Sequence, residues 1–105
     1  MGTVRSVEVD GDELLIRRWI RRKRIALNSI RRIESLKRDM LTHEENYLLL
    51  TLKDGRVFPL GELDRGFSVA ETKLRATFSP FDPHWMAVLE GAPPGLRQLI
   101  WERNG

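Results

Sequence analysis

The spacing of apolar residues predicts a small α+β domain. It is mostly antiparallel strand, as a sheet or a partly open small β-barrel, with a C-terminal helix or helices. Two runs of β-forming residues flank Asp10-Gly11-Asp12, and two more flank Lys53-Asp54-Gly55-Arg56. From Ser68 onward the punctuation becomes that of helices, with Asp82-Pro83 as a start and Gly91 and Pro93-Pro94 as a stop. A chain of 105 residues predicts one domain with one core, residues 1–105.

In chain order, Val4, Val7 and Val9 precede the first Asp-Gly turn, and Leu14, Leu15, Ile16, Trp19 and Ile20 follow it. The pair reads as a β-hairpin. Residues 28–41 carry two periods at once. Arg24–Leu27 and Arg32–Met40 fit strands, whereas Ile30, Ile33, Lys37, Met40 and Leu41 fall on one helical face behind an Asn28 or Ser29 cap. Ile33 and Leu36 break strict strand alternation, which favours the helix locally, and the strand reading stands beside it. Tyr47–Leu52 and Val57–Leu60 form the second hairpin, where Asp54-Gly55 can supply the positive φ angles of a type I′ turn. Pro59 has no N–H to give a ladder and marks an edge or the end of a strand.

Ser68-Val69-Ala70-Glu71 has the form of a capping box, with Ala70, Leu74 and Phe78 at i, i+4 and i+8. The same stretch also alternates, so residues 69–78 read as helix or strand. Asp82 as cap and Pro83 at the first helical position predict a helix from Pro83 to Glu90. Residues 96–103 read as a short helix or a strand. Met40, Phe58, Phe67, Phe78, Phe81 and Trp101 are expected in or beside the core.

Composition narrows the function classes. With 41% hydrophobic residues, 8 Gly and 5 Pro, the chain has material for a core and no bias toward disorder. Without cysteine there is no disulfide framework, thiolate zinc site or cysteine nucleophile, a usage that fits the cytoplasm. The sequence has no apolar run of membrane-spanning length and no apolar segment at its start of the kind signal peptides carry.

Charge is concentrated. Residues 17–38 hold ten basic residues and one acid, or +9, while the remainder holds eight basic and fourteen acidic residues, or −6. Such asymmetry bears on partners. The candidate binding residues are Arg17, Arg21, Arg22, Lys23, Arg24, Arg31 and Arg32, with Trp19 as a side chain able to stack on a guanidinium or a base. The alternative is that these cations pair with the domain's own acids, such as Asp10, Asp12, Glu13, Glu44 and Glu45.

The hairpin VEVDGDELLI, the segment RIALNSIRRIE and the strand pair YLLLTLKDGRVFPL, followed by SPFDPHWMAVLEG, resemble the small bacterial pleckstrin-homology-like domains. The resemblance spans residues 4–91, with 92–105 as a C-terminal extension. It implies a barrel closed at one end by a helix with Trp85 as the plug, and it places Arg21–Arg24 between the second and third strands. Members that bind phosphoinositides carry basic residues at the first hairpin loop; Asp10-Gly11-Asp12-Glu13 is acidic instead and argues against that ligand.

No catalytic constellation emerges. His43-Glu44-Glu45-Asn46 lacks the second histidine of a zinc helix, and His84 is expected in a solvated first helical turn. No nucleophile elbow or phosphate-binding glycine loop occurs. Asp10/Asp12 and Glu44/Glu45 are expected as exposed carboxylates in turns, poorly placed for acid–base work. The expectation is a non-enzymatic module with no metal and no cofactor, binding a protein partner through a sheet edge or its basic face. Binding of nucleic acid through Arg17–Arg38, or of an anionic membrane surface, are the alternatives.

Overall fold

The computed structural model describes residues 5–18, 20–39 and 41–104; Val4, Trp19 and Met40, and what was expected of them, lie outside these. Two antiparallel sheets pack face to face. The first joins β1 (Ser6–Asp10), β2 (Glu13–Arg18) and β3 (Arg21–Ala26) in that order. A turn of 3-10 helix, Leu27–Ser29, leads into β4 (Ile30–Asp39), which pairs with β5 (Glu44–Leu52); β6 (Val57–Gly61) completes the second hairpin. Helices α1 (Phe67–Thr77) and α2 (Trp85–Glu90) follow, and the chain returns as β7 (Arg97–Glu102) beside β4. The second sheet thus runs β6-β5-β4-β7. Among the described residues no strand pair joins the two sheets, so the structure is open. Among the described residues no helix is long and apolar enough to cross a membrane.

Both hairpins form where the Asp-Gly dipeptides lie, and the first closes on Asp10 opposite Glu13 with Gly11 at positive φ. The second differs from the expected type I′ turn. Gly55 N–H donates to Leu52 O and Leu52 N–H to Arg56 O, giving a three-residue loop, Lys53-Asp54-Gly55, closed by the left-handed glycine.

Residues 30–39 are strand. Ile30 opposes Leu52 and Arg32 opposes Thr51, leaving Arg31 as the extra residue of a β-bulge. One bulge turns the inward set from alternate residues into Ile30, Ile33, Ser35 and Lys37, all buried. That i, i+3 step is what imitated a helix. Lys37 donates to Glu90 O at 3.2 Å, placing a cation at the C-terminal end of α2.

Residues 67–77 are helical, with Ala70, Leu74 and Phe78 buried as their spacing implies. The expected capping box does not form. Gly66, left-handed, is the N-cap; Ser68 lies inside the helix, and the Glu71 carboxylate goes to Arg75 at 2.6 Å and the Trp85 indole N–H at 3.0 Å. α2 starts at Trp85 rather than Pro83, yet Asp82 Oδ1 accepts the His84 N–H at 2.8 Å and Gly91 ends the helix. Residues 97–102 are strand, so the helices are inserted before the last strand and are not C-terminal.

The core fills the space between the sheets and under α1 and α2. Leu14, Ile25, Ile33, Leu48, Leu50, Leu60 and Leu89 are fully buried, and Trp85 packs edge-on against Phe67 with centroids 6.1 Å apart. Phe78 and Phe81 are buried, while Phe58 and Trp101 pack on the core from its margin. Glu45 corrects an expectation. Far from being an exposed turn residue, it lies buried on β5 and accepts from Arg5 at 2.7 Å.

Candidate binding cleft at an open sheet edge

The β2–β3 hairpin carries most of the predicted basic residues, and strand alternation sorts them onto two faces. Register pairs Leu14 with Ile25, Ile16 with Lys23 and Arg18 with Arg21; Leu14, Ile16 and Ile25 are buried, so these pairs face inward. Leu15, Arg17, Arg22 and Arg24 face outward. The run Arg21–Arg24 is therefore the third strand itself and not a connection between the second and third strands. A strand carrying four consecutive cations is possible because β3 lies at an edge with only Ile25 fully inside.

On the outward face the domain's own acids take up part of the charge. Arg24 donates to Asp10 Oδ2 at 2.9 Å and to Glu13 Oε1 at 3.0 Å, and these bonds, that to Asp10 foremost, raise its pKa above the ordinary arginine value. Arg17 lies 3.7 Å from Glu8. Arg31 and Arg32 belong to the other sheet: Arg31 is the exposed bulge residue, and Arg32 lies 3.7 Å from Glu102. The seven predicted residues are thus not one patch. Arg21, Arg22 and Lys23 make no ion pair among the described residues.

Those three residues border a cleft of about 490 Å³ between the edges of β3 and β6. Ile16 and Phe58 form its apolar floor, and Arg18, Arg21, Lys23 and Arg56 stand around it. Sequence reasoning missed Arg18, Arg56 and the floor. Alternation from Leu14 through Ile16 to Arg18 was the available signal for one, and the position of Arg56 directly after the Asp-Gly turn for the other. Ile20, beside the start of β3, is 98% exposed.

Arg56 lies over the Phe58 ring at 5.8 Å and binds Asp54 through its backbone N–H at 3.0 Å and its Nε at 2.7 Å. These contacts hold the Asp54 pKa below the ordinary carboxylate value, the backbone bond contributing most, with a further lowering from the charge of Lys23. In an NMR pH titration Asp54 should show a midpoint below the ordinary aspartate value of 3.8. Arg56→Ala keeps the backbone N–H and should relieve only part of the lowering; a midpoint fully restored in that variant would contradict this account.

The two edges flanking the cleft differ in what they leave unpaired. Leu27 N–H donates to Asp12 O, which fixes the alternation along β2–β3: the pairs at 14/25, 16/23 and 18/21 exchange hydrogen bonds. Arg22 and Arg24 therefore turn their backbone N–H and C=O away from β2, toward the free edge. On β6 the outward positions are Val57, Pro59 and Gly61. Pro59 has no N–H and its carbonyl accepts from Arg18, while Gly61 N–H donates to Asp64 Oδ2 at 3.0 Å. At β1 the outer edge is bridged to Arg65. β3 is open along Arg22 and Arg24, whereas Pro59 and Gly61 on β6 and Val7 on β1 have partners.

Among the described residues no group of three or more histidine or carboxylate side chains could hold a metal ion, and His43 and His84 are both exposed. Comparison with protein-family models, with curated proteins and with solved structures gives no match.

Proposed function

We propose that this chain is a non-catalytic interaction module, with the architecture of a pleckstrin-homology-like domain, that binds a protein partner along the free basic edge of β3. Support for the architecture comes from the two packed antiparallel sheets and from Trp85, buried on α2 as a plug residue would be. The inserted position of the helices before β7 is a departure from that pattern.

The observation that carries the function is the outward-facing backbone of Arg22 and Arg24 beside an apolar-floored cleft. Strand addition draws affinity from main-chain hydrogen bonds and selectivity from alternate side-chain pockets, and this edge offers both. Polyanion binding needs only the cations, and neither nucleic acid nor a membrane surface makes use of an open ladder.

Proline substitution tests the edge. Arg22→Pro deletes an N–H that points away from β2 and should cost under about 1 kcal/mol of stability, whereas Lys23→Pro deletes a ladder donor and should cost about 2–3 kcal/mol. Urea denaturation checks both. In a pull-down from lysate, with and without nuclease, a protein retained after nuclease by the wild type and lost by Arg22→Pro is the expected result. Loss on nuclease treatment, or equal retention by the variant, would overturn the reading.

A further inference from the structure

We infer that the β3 edge selects an extended acidic segment of acid–apolar–acid pattern, added antiparallel as a fourth strand of the β1-β2-β3 sheet. The inference rests on the edge-binding reading above and specifies the partner's chemistry. A strand laid against β3 would hydrogen-bond to Arg22 and Arg24, and its side chains would alternate in step with those of β3. The residue opposite Lys23 points to the inward face, over Ile16 and Phe58, where an apolar side chain is accommodated. Its two neighbours point to the outward face, opposite Arg22 and Arg24. There Arg22 makes no ion pair among the described residues, so a carboxylate opposite it gains a cross-strand partner, while Arg24, already bonded to Asp10 and Glu13, would be shared with the second carboxylate, which gains less.

Charge also excludes competitors. Arg21, Arg22, Lys23 and Arg24 repel basic edges, and charged side chains of this kind are how edge strands are kept from indiscriminate pairing. A second copy joined β3 to β3 would set these cations against each other. An acidic strand turns the same repulsion into attraction.

The test uses the intact protein and a capped peptide of alternating glutamate and valine, followed by calorimetry and amide hydrogen exchange. Binding that weakens with salt, with added protection at the Arg22 and Arg24 amides, is expected. Arg22→Pro should weaken it by about tenfold or more, through lost main-chain bonds. Lys73→Glu, on α1, should change it less than about twofold, since a charge off the interface acts weakly. Equal binding of the lysine-for-glutamate peptide overturns the acidic pattern. Binding without added protection at Arg22 and Arg24 overturns strand addition. Tighter binding of a single-stranded oligonucleotide or of anionic phosphatidylserine vesicles, or dimerisation through β3, overturns the choice of occupant. If the peptide fails to bind while the pull-down partner is still lost in Arg22→Pro, the acidic chemistry falls and the edge remains.

Discussion

Gly66→Ala should be among the most damaging single substitutions in this fold, lowering stability by about 3–4 kcal/mol. Gly66 sits at φ +87° as the N-cap of α1, and a Cβ added there would lie 2.1 Å from the carbonyl oxygen of Val7. The obstructing atom is backbone, so no side chain can swing aside. β1 would have to withdraw, and with it the bonds from Val7 N–H to Arg65 O at 2.8 Å and from Arg65 N–H to Arg5 O at 3.0 Å. To these losses is added the cost of a left-handed alanine, roughly 1–2 kcal/mol. Gly55 is the matched control: its φ is +92°, but a Cβ there meets nothing within 4 Å. Gly55→Ala should therefore cost only about 1 kcal/mol, the backbone part alone. Urea midpoints of the two variants measure the difference, and equal losses would show that the Val7 contact contributes nothing.

Asp64→Ala should cost about 3 kcal/mol, with Asp64→Asn closer to about 1–2 kcal/mol. The Asp64 carboxylate is almost wholly buried and gathers three partners: Arg5 Nε at 3.0 Å, Arg18 Nη2 at 3.5 Å and Gly61 N–H at 3.0 Å. Arg5 cannot discharge its way out of the loss. Its pKa is raised above the ordinary arginine value, by its bond to the Tyr47 hydroxyl foremost and then by Glu45 and Asp64. Alanine leaves two cations short of a counter-charge and one backbone donor unsatisfied, whereas asparagine keeps an oxygen for Gly61. The side chains of Arg5 and Arg18 remain 30% and 29% exposed, so water offsets part of the charge and the loss falls at the low end for a broken buried pair. Chemical denaturation of both variants gives the comparison, and equal losses would mean that the Gly61 bond adds nothing.

The hairpins were legible because Asp-Gly turns are local chemistry, and α1 because its apolar residues recur at the helical period. β4 was ambiguous for a definite reason. A bulge residue, Arg31, shifts the side-chain alternation by one, and the resulting Ile30–Ile33 spacing belongs to helices and bulged strands alike. β7 could be assigned only through its partner, since its pairing with β4 spans most of the chain. The basic stretch was visible as a run, but a linear count cannot tell that strand pairing gives Arg24 to Asp10 and Glu13, gives Arg32 to Glu102, and leaves Arg21, Arg22 and Lys23 beside the cleft. The Arg5–Glu45–Asp64 cluster was hidden for the same reason: 40 residues separate Arg5 from Glu45. His84 is exposed as expected, but as the N-cap of α2 rather than in its first turn.

The late arrival of β7 imposes an order on synthesis. Leu36 pairs with Arg97, so roughly 60 further residues must be translated before β4 acquires its second neighbour. At about 5–20 residues per second that interval lasts on the order of 3–12 seconds, during which β4 is an outer strand of an unfinished sheet. The bases of the run that lie on this strand, Arg31, Arg32, Lys37 and Arg38, are on the nascent chain throughout that interval. Like charge is what keeps such edges on neighbouring nascent chains from pairing. The four of the ten bases that lie on β4 would thus oppose such pairing until the last strand is made.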